Sequence, residues 1–141
     1  DNNGTWINGT GTSFNATEGT HTYAVRQIDT AGNISEASAA KTYVLDATAP
    51  TATLNINSSD VSAQSSEAGT GYLVNSTVTI NDVLSITNSA DNLWNSVDIT
   101  SANTPTTIST TGLAVGTYYL YTVDAAGNIS AQSSASYSVI G

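Results

Sequence analysis

Residues 29–35 read Asp-Thr-Ala-Gly-Asn-Ile-Ser, and residues 124–130 read Asp-Ala-Ala-Gly-Asn-Ile-Ser. The two stretches lie 95 residues apart, and the similarity continues from each of them toward its C-terminal side. A repeat of this length is typical of one small β domain per unit. The sequence therefore predicts a tandem array, in which residues 47–141 form a complete repeat and residues 1–46 form the C-terminal half of the repeat before it.

Short runs of β-branched and aromatic residues, separated by Gly, Asn, Asp and Ser, dominate the chain and favour β-strands. Helical periodicity is not sustained anywhere. The predicted strands of the complete repeat are 51–57, 61–65, 71–74, 77–81, 96–100, 106–109, 117–123 and 133–140, and those of the half repeat are 5–7, 12–15, 20–28 and 39–45. The predicted fold class is all-β.

The strand predicted at residues 117–123 is apolar on both faces. Tyr118 and Leu120 project to one side, whereas Tyr119, Tyr121 and Val123 project to the other. A strand with two apolar faces belongs in the centre of a sheet, with one face on the core. We therefore expect this strand to be central.

The composition restricts the classes of partner. Two basic residues against eleven acidic ones give a net charge of −9, and such a surface repels nucleic acid and anionic membranes but suits cations. No apolar run is long enough to span a bilayer, which predicts no membrane insertion in this segment. Cysteine is absent, which excludes disulfides and thiol chemistry. The low charge content and abundant Thr, Ser and Asn are typical of long extracellular repeat proteins.

Residues 46–50, Asp-Ala-Thr-Ala-Pro, form the predicted joint between the repeats. Pro50 has no backbone N–H and biases Ala49 toward an extended conformation. We expect a short, stiff linker that keeps successive repeats aligned.

The motif Asp-x-Ala-Gly-Asn-x-Ser, present twice, together with the joint at residues 46–50, resembles the bacterial immunoglobulin-like repeats of giant cell-surface adhesins. Residues 65–74 also resemble the second-to-third strand region of those repeats. The resemblance covers essentially the whole chain. It implies immunoglobulin-like β-sandwiches in tandem, the first one incomplete, on a bacterial cell surface, with calcium bound in many members where domains meet.

Strand order points to the same calcium site. In a seven-strand sandwich, the last inter-strand loop and the loop between the second and third strands lie at the end where the chain enters. Those loops carry Asp124, Asn128 and Glu67, and the joint brings Asp46 to the same end. Clustered carboxylates repel one another unless a cation neutralises them, and Ca²⁺ prefers hard oxygen ligands of this kind. Asp29 and Asn33 are the weaker candidates, because they face the upstream end of the half repeat.

Each candidate also has a structural interpretation. The glycines of the motif fit tight turns with positive φ, and Asn33 and Asn128 fit hydrogen bonding within their loops. His21, the single histidine, takes the position of Tyr118 in the complete repeat, which indicates a packed or half-exposed strand residue rather than a catalytic base. With one histidine and no cysteine, no nucleophile, base and orienting group can be assembled, so an enzyme is the least favoured class.

The function that we expect is a spacer in a large extracellular adhesin-like protein, with calcium at each joint and neighbouring repeats as partners. One alternative is a module that binds a host or matrix glycan or protein through an aromatic patch. Another is assembly with other copies of the chain, in which strands from a second molecule complete the half repeat.

Overall fold

A computed structural model describes residues 4–9 and 15–141. This part of the chain is mostly β-strand in antiparallel sheets with almost no helix, so the fold is all-β, as predicted. It divides into two compact units, Asp1–Ala47 and Thr48–Gly141. The strands are β1 (Gly19–Tyr23), β2 (Lys41–Leu45), β3 (Ala52–Ile56), β4 (Val61–Ser65), β5 (Gly69–Asn75), β6 (Trp94–Ile99), β7 (Thr106–Thr107), β8 (Gly116–Asp124) and β9 (Ser136–Val139).

The first unit contains one two-stranded antiparallel sheet, in which β1 pairs with β2 and Gly19 lies opposite Leu45. One face of this pair borders a shallow apolar groove of about 560 Å³. Tyr23, Val25 and Tyr43 are among the residues that line the groove. The groove lies on a sheet that has few residues to cover it, since every residue of β2 is exposed.

The second unit contains two antiparallel sheets that share one core. The smaller sheet has the order β3-β4-β7, and the larger has the order β6-β5-β8-β9. The core consists of apolar side chains from both sheets, because alternate residues of each strand point to the same side. Its buried members are Leu54, Val61, Ala63, Leu73, Ile99, Ile108, Tyr118 and Leu120.

The prediction for residues 117–123 is confirmed. β8 lies between β5 and β9, and its Tyr118 and Leu120 are completely buried in the core. The Tyr118 hydroxyl donates hydrogen bonds to the carbonyls of Ala114 (2.8 Å) and Asn92 (3.2 Å), so its polar end is satisfied. Tyr119 and Tyr121 are half-buried on the opposite face.

Two of the predicted strands are wrong. Residues 77–81 form no strand, because the Asn75 side-chain carbonyl accepts hydrogen bonds from the Thr77 N–H (3.0 Å) and hydroxyl (2.9 Å) and turns the chain at the end of β5. Residues 5–7 also form no strand, and Trp6 instead lies under the Arg26 guanidinium at 4.2 Å. Of the strand predicted at 12–15, residues 12–14 lie outside the described residues, and Asn15 is not in a strand.

The sequence analysis also overlooked a short helix, α1 (Val83–Thr87). Asp82 caps it, since the carboxylate accepts from the Ser85 N–H (2.8 Å) and the Ser85 hydroxyl accepts from the Asp82 N–H (3.3 Å). This reciprocal pair is a capping box, which initiates a helix without long apolar periodicity. A 3-10 helix, Asp91–Leu93, follows before β6.

Candidate metal centre

The loop at residues 124–130, which we call the second Asp loop, is built around one carboxylate. Asp124 is the last residue of β8 and is buried. Its Oδ1 accepts from the Asn128 N–H (2.9 Å), and its Oδ2 accepts from the Asn128 side-chain amide (2.8 Å). Gly127 has a φ of +94°, a conformation that favours glycine. The spacing of Asp, Gly and Asn within the repeated motif thus produces a closed turn.

The first Asp loop, residues 29–35, repeats this arrangement 95 residues earlier. The Asp29 carboxylate accepts from the Asn33 N–H (2.8 Å) and from the Asn33 side-chain amide (2.8 Å). Gly32 has a φ of +89°. The first unit and the second unit therefore form the same local structure from the same residues, although they differ in how much sheet surrounds it.

In both units, serine hydroxyls that follow the Asp–Asn pair accept hydrogen bonds from backbone N–H groups of the preceding segment. The Ser35 hydroxyl accepts from the Gln27 N–H, and the Ser130 hydroxyl accepts from the Thr122 N–H, each at 2.9 Å. Three residues further on, Ser38 accepts from the Val25 N–H (3.0 Å), and the equivalent Ser133 accepts from the Leu120 N–H (2.9 Å). The sequence analysis assigned no role to these serines, although their recurrence was the available signal.

Hydrogen bonding lowers the pKa of both aspartates. Burial on its own would raise the pKa of Asp124, but the hydrogen bonds from Asn128 and from the backbone of residues 126 and 127 outweigh it, and the pKa lies below its ordinary value. The Asn33 side chain is the largest cause of the lowered pKa of Asp29, followed by the backbone N–H of Asn33. Both carboxylates are therefore ionised at neutral pH.

Glu67 lies in the turn between β4 and β5, where its N–H donates to the Ser65 hydroxyl at 3.3 Å. Gly69, two residues later, pairs with Asp124 across the β5–β8 ladder. This pairing brings the two loops together, so that a carboxylate oxygen of Glu67 lies within 4.8 Å of one of Asp124. The structure thus brings together Glu67 and Asp124, two of the three predicted ligands that belong to the second unit.

The Glu67–Asp124 pair fits a calcium ion. Two ligands of one Ca²⁺, each at 2.3–2.6 Å, can be separated by up to about 5.2 Å, which accommodates the distance between these oxygens. The hydrogen bonds from Asn128 and from the backbone of residues 126 and 127 fix the orientation of the Asp124 carboxylate.

The other predicted ligands are placed as follows. Asp46 is partly exposed and lies one residue beyond β2, next to the last residue of the first unit. That it joins Glu67 and Asp124 stays a prediction. Asn128 directs both of its N–H groups toward Asp124, which is the structural role considered for it, and ligation through its amide oxygen stays a prediction. Asp29 and Asn33 are exposed, and the Asn33 side-chain amide donates a hydrogen bond to the Asp29 carboxylate.

The remaining candidate side chains lie in strands. His21 is partly exposed in β1, stacks on Tyr23 with a ring-centroid separation of 5.8 Å, and lies 3.2 Å from the Thr17 hydroxyl. Trp94 begins β6 and is half-buried, with its ring centroid 5.9 Å from that of Tyr72. His21 is thus the strand residue that its position relative to Tyr118 predicts.

Comparison of the chain with protein-family models, curated proteins and solved structures finds no match. Within the described residues, no helix has the length and apolar character needed to cross a membrane.

Proposed function

We propose that the chain is a spacer segment of a large extracellular bacterial protein, built from tandem immunoglobulin-like repeats and stiffened by calcium where the repeats join. The observation that carries this proposal is the Asp loop that occurs twice. Its hydrogen bonds recur at a fixed offset of 95 residues in both units. Repetition of one structural unit is the means by which a chain gains length without new function.

The two-sheet architecture of the second unit supports the proposal of an immunoglobulin-like sandwich. Two antiparallel sheets enclose one core, and the loop after β8 lies beside the turn between β4 and β5. In this proposal the first unit is the C-terminal half of an equivalent sandwich. The β1–β2 pair then corresponds to β8–β9, since the Asp loop lies in the connection between the two strands of each pair.

Calcium would restrict the relative motion of neighbouring repeats by binding at the joint between them. Asp124 is ionised and held in one orientation, Glu67 supplies a second carboxylate, and Asp46 of the linker supplies a third in this proposal. An ion bound only by the ordered joint stabilises it by RT ln(1 + [L]/Kd), about 1.4 kcal/mol when calcium is at ten times its Kd. Extracellular calcium is high enough to occupy sites of millimolar affinity.

The direct test is thermal unfolding of the 141-residue chain in millimolar CaCl₂ and in EDTA. We expect the melting temperature to rise with calcium, and the rise to be smaller in Asp46→Asn and absent in Asp124→Asn. Asp60→Asn, which changes an exposed acid in the turn between β3 and β4, is the matched control and should respond like the unaltered chain. An equal melting temperature with and without calcium would refute the metal part of the proposal.

A further inference from the structure

Four aromatic rings lie on the outer face of the larger sheet, which is the face turned away from the core. Strand alternation places Tyr72, Trp94, Tyr119 and Tyr121 on this side. Tyr72 is directly opposite Tyr121, and Val74 pairs with both Trp94 and Tyr119. All four rings are half-buried, so part of each ring is accessible. We call this surface the aromatic face.

Contacts within the aromatic face hold the rings in place. The rings of Tyr72 and Trp94 are tilted by 50° with centroids 5.9 Å apart. The Tyr121 hydroxyl donates to Gln132 Oε1 at 3.0 Å. Trp94 Nε1 is a buried donor with no acceptor among the described residues, an arrangement that is rare in folded proteins. The ring contact and the Tyr121 hydrogen bond therefore order the face before any ligand arrives.

Within the strands, the other outer-face positions are mostly polar. They hold hydroxyl groups and one carboxylate: Thr70, Ser96, Asp98, Thr117, Ser136 and Ser138. Val74 and Val123, which alternation assigns to the same face, are buried. Exposed aliphatic side chains occur one residue beyond the strand ends, at Val115 before β8 and at Ile140 after β9. The accessible neighbours of the rings on the strands themselves are therefore polar.

These groups match the surface of a sugar. The C–H bonds on one face of a pyranose are polarised by the neighbouring oxygens, and they pack against the negative face of an aromatic ring. The sugar hydroxyls then reach hydroxyl and carboxylate groups beside the rings. Two rings on neighbouring strands, such as Tyr72 and Tyr121, are spaced to contact adjacent parts of one chain of sugars.

Charge determines which sugars fit. Both basic residues of the chain, Arg26 and Lys41, are in the first unit, so the second unit has none. Asp98 is exposed on the aromatic face itself. An acidic glycan, phosphate or nucleic acid would meet repulsion and find no basic partner there. We propose that the aromatic face of the second unit binds a neutral oligosaccharide. This site is separate from the calcium joint, because none of the four rings belongs to the loops of Glu67 and Asp124.

The test is calorimetric titration of the 141-residue chain with neutral hexasaccharides: cellohexaose, maltohexaose, chitohexaose and mannohexaose. Hexagalacturonate is the acidic comparison. We expect at least one neutral sugar to bind and hexagalacturonate to bind at least about tenfold more weakly. Tyr72→Ala and Tyr121→Ala should each weaken the neutral sugar about tenfold, whereas Tyr72→Phe, which keeps the ring, should change its affinity less than about threefold.

Tyr43→Ala is the matched control, because Tyr43 is an exposed tyrosine that belongs to the first unit and is not part of the aromatic face. It should bind the neutral sugar like the unaltered chain. If an alanine variant does not fold, Tyr72→Leu removes the ring while retaining apolar bulk. The proposal is overturned if none of the four neutral sugars binds, if hexagalacturonate binds as well as they do, or if the ring-removing variants and Tyr43→Ala bind equally.

Discussion

Asn128 binds both carboxylate oxygens of Asp124, since its backbone N–H donates to Oδ1 at 2.9 Å and its side-chain amide donates to Oδ2 at 2.8 Å. The Asp124 N–H in turn donates to the Asn128 carbonyl at 3.1 Å. This pair closes the second Asp loop and fixes the direction of the carboxylate. The same contact therefore stabilises the loop and would orient Asp124 toward the calcium ion of the proposed site.

Asn128→Ala should destabilise the second unit by about 1–3 kcal/mol, because it removes the side-chain donor from a buried, charged acceptor. Urea unfolding measures this change. Asn55→Ala is the control, since Asn55 makes only a long 3.4 Å hydrogen bond to Gln64, and its effect should stay within about 0.5 kcal/mol. Equal effects of the two substitutions would show that the Asp124–Asn128 pair adds nothing to stability.

Acid should destabilise the second unit through Asp124. The pKa of Asp124 is lower in the folded state than its ordinary value of 3.8, despite burial, because of hydrogen bonds from Asn128 and the backbone. The folded state therefore binds fewer protons than the unfolded state at acidic pH. The ionised Asp124 carboxylate stabilises the folded state fully when the pH is above the pKa of Asp124 in the unfolded state. This stabilisation is lost as the pH falls through the pKa of Asp124 in the folded state. Urea unfolding between about pH 5 and pH 2 should show a smaller decline in Asp124→Asn. An unchanged decline would contradict the lowered pKa.

Gly69→Ala should be among the most damaging single substitutions in the second unit. Gly69 has a φ of +159°, and a Cβ at this position would collide with the Val123 carbonyl on the adjacent strand. Backbone strain and overpacking together predict a loss of about 2–4 kcal/mol in the free energy of unfolding. Gly127 also has a positive φ, but the space around it is open, so Gly127→Ala should lower the free energy of unfolding by only about 1–2 kcal/mol. The opposite ranking in urea unfolding would contradict this account.

Tyr118→Phe should destabilise the second unit by about 1–2 kcal/mol. The substitution keeps the buried ring but leaves the Ala114 and Asn92 carbonyls without their hydroxyl donor. Tyr137→Phe on β9 is the control, because the Tyr137 hydroxyl makes no hydrogen bond that the structure records in the described residues. Thermal unfolding should show a clearly lower melting temperature for Tyr118→Phe and an unchanged melting temperature for Tyr137→Phe.

The sequence predicted the positions of several strands of the second unit. β4 was predicted with its observed limits, and β8 was predicted as central because Tyr118 and Tyr119 give it two apolar faces. The failures have local causes. Asn75 turns the chain and prevents a strand at 77–81, and the Asp82–Ser85 capping box starts a helix that is too short to show periodicity.

The candidate site was predictable to the extent that strand pairing brings distant residues together. Glu67 and Asp124 were selected because they lie in loops at one end of the predicted sandwich, and the Gly69–Asp124 pairing explains their proximity. The side-chain hydrogen bond between Asn128 and Asp124 depends on loop conformation, which the residue spacing alone does not define. The sequence analysis raised an aromatic patch as an alternative but did not assign its residues, because Tyr72, Trp94 and Tyr121 are distant in sequence and adjoin only through strand register.

The measurement that tests the central claim most directly is ¹⁵N relaxation of the two units in the 141-residue chain, with calcium and with EDTA. A calcium-braced joint predicts one rotational correlation time for both units in calcium and two different values in EDTA, with Asp46→Asn giving two values in both solutions. Correlation times that do not change with calcium would contradict a calcium-stiffened spacer.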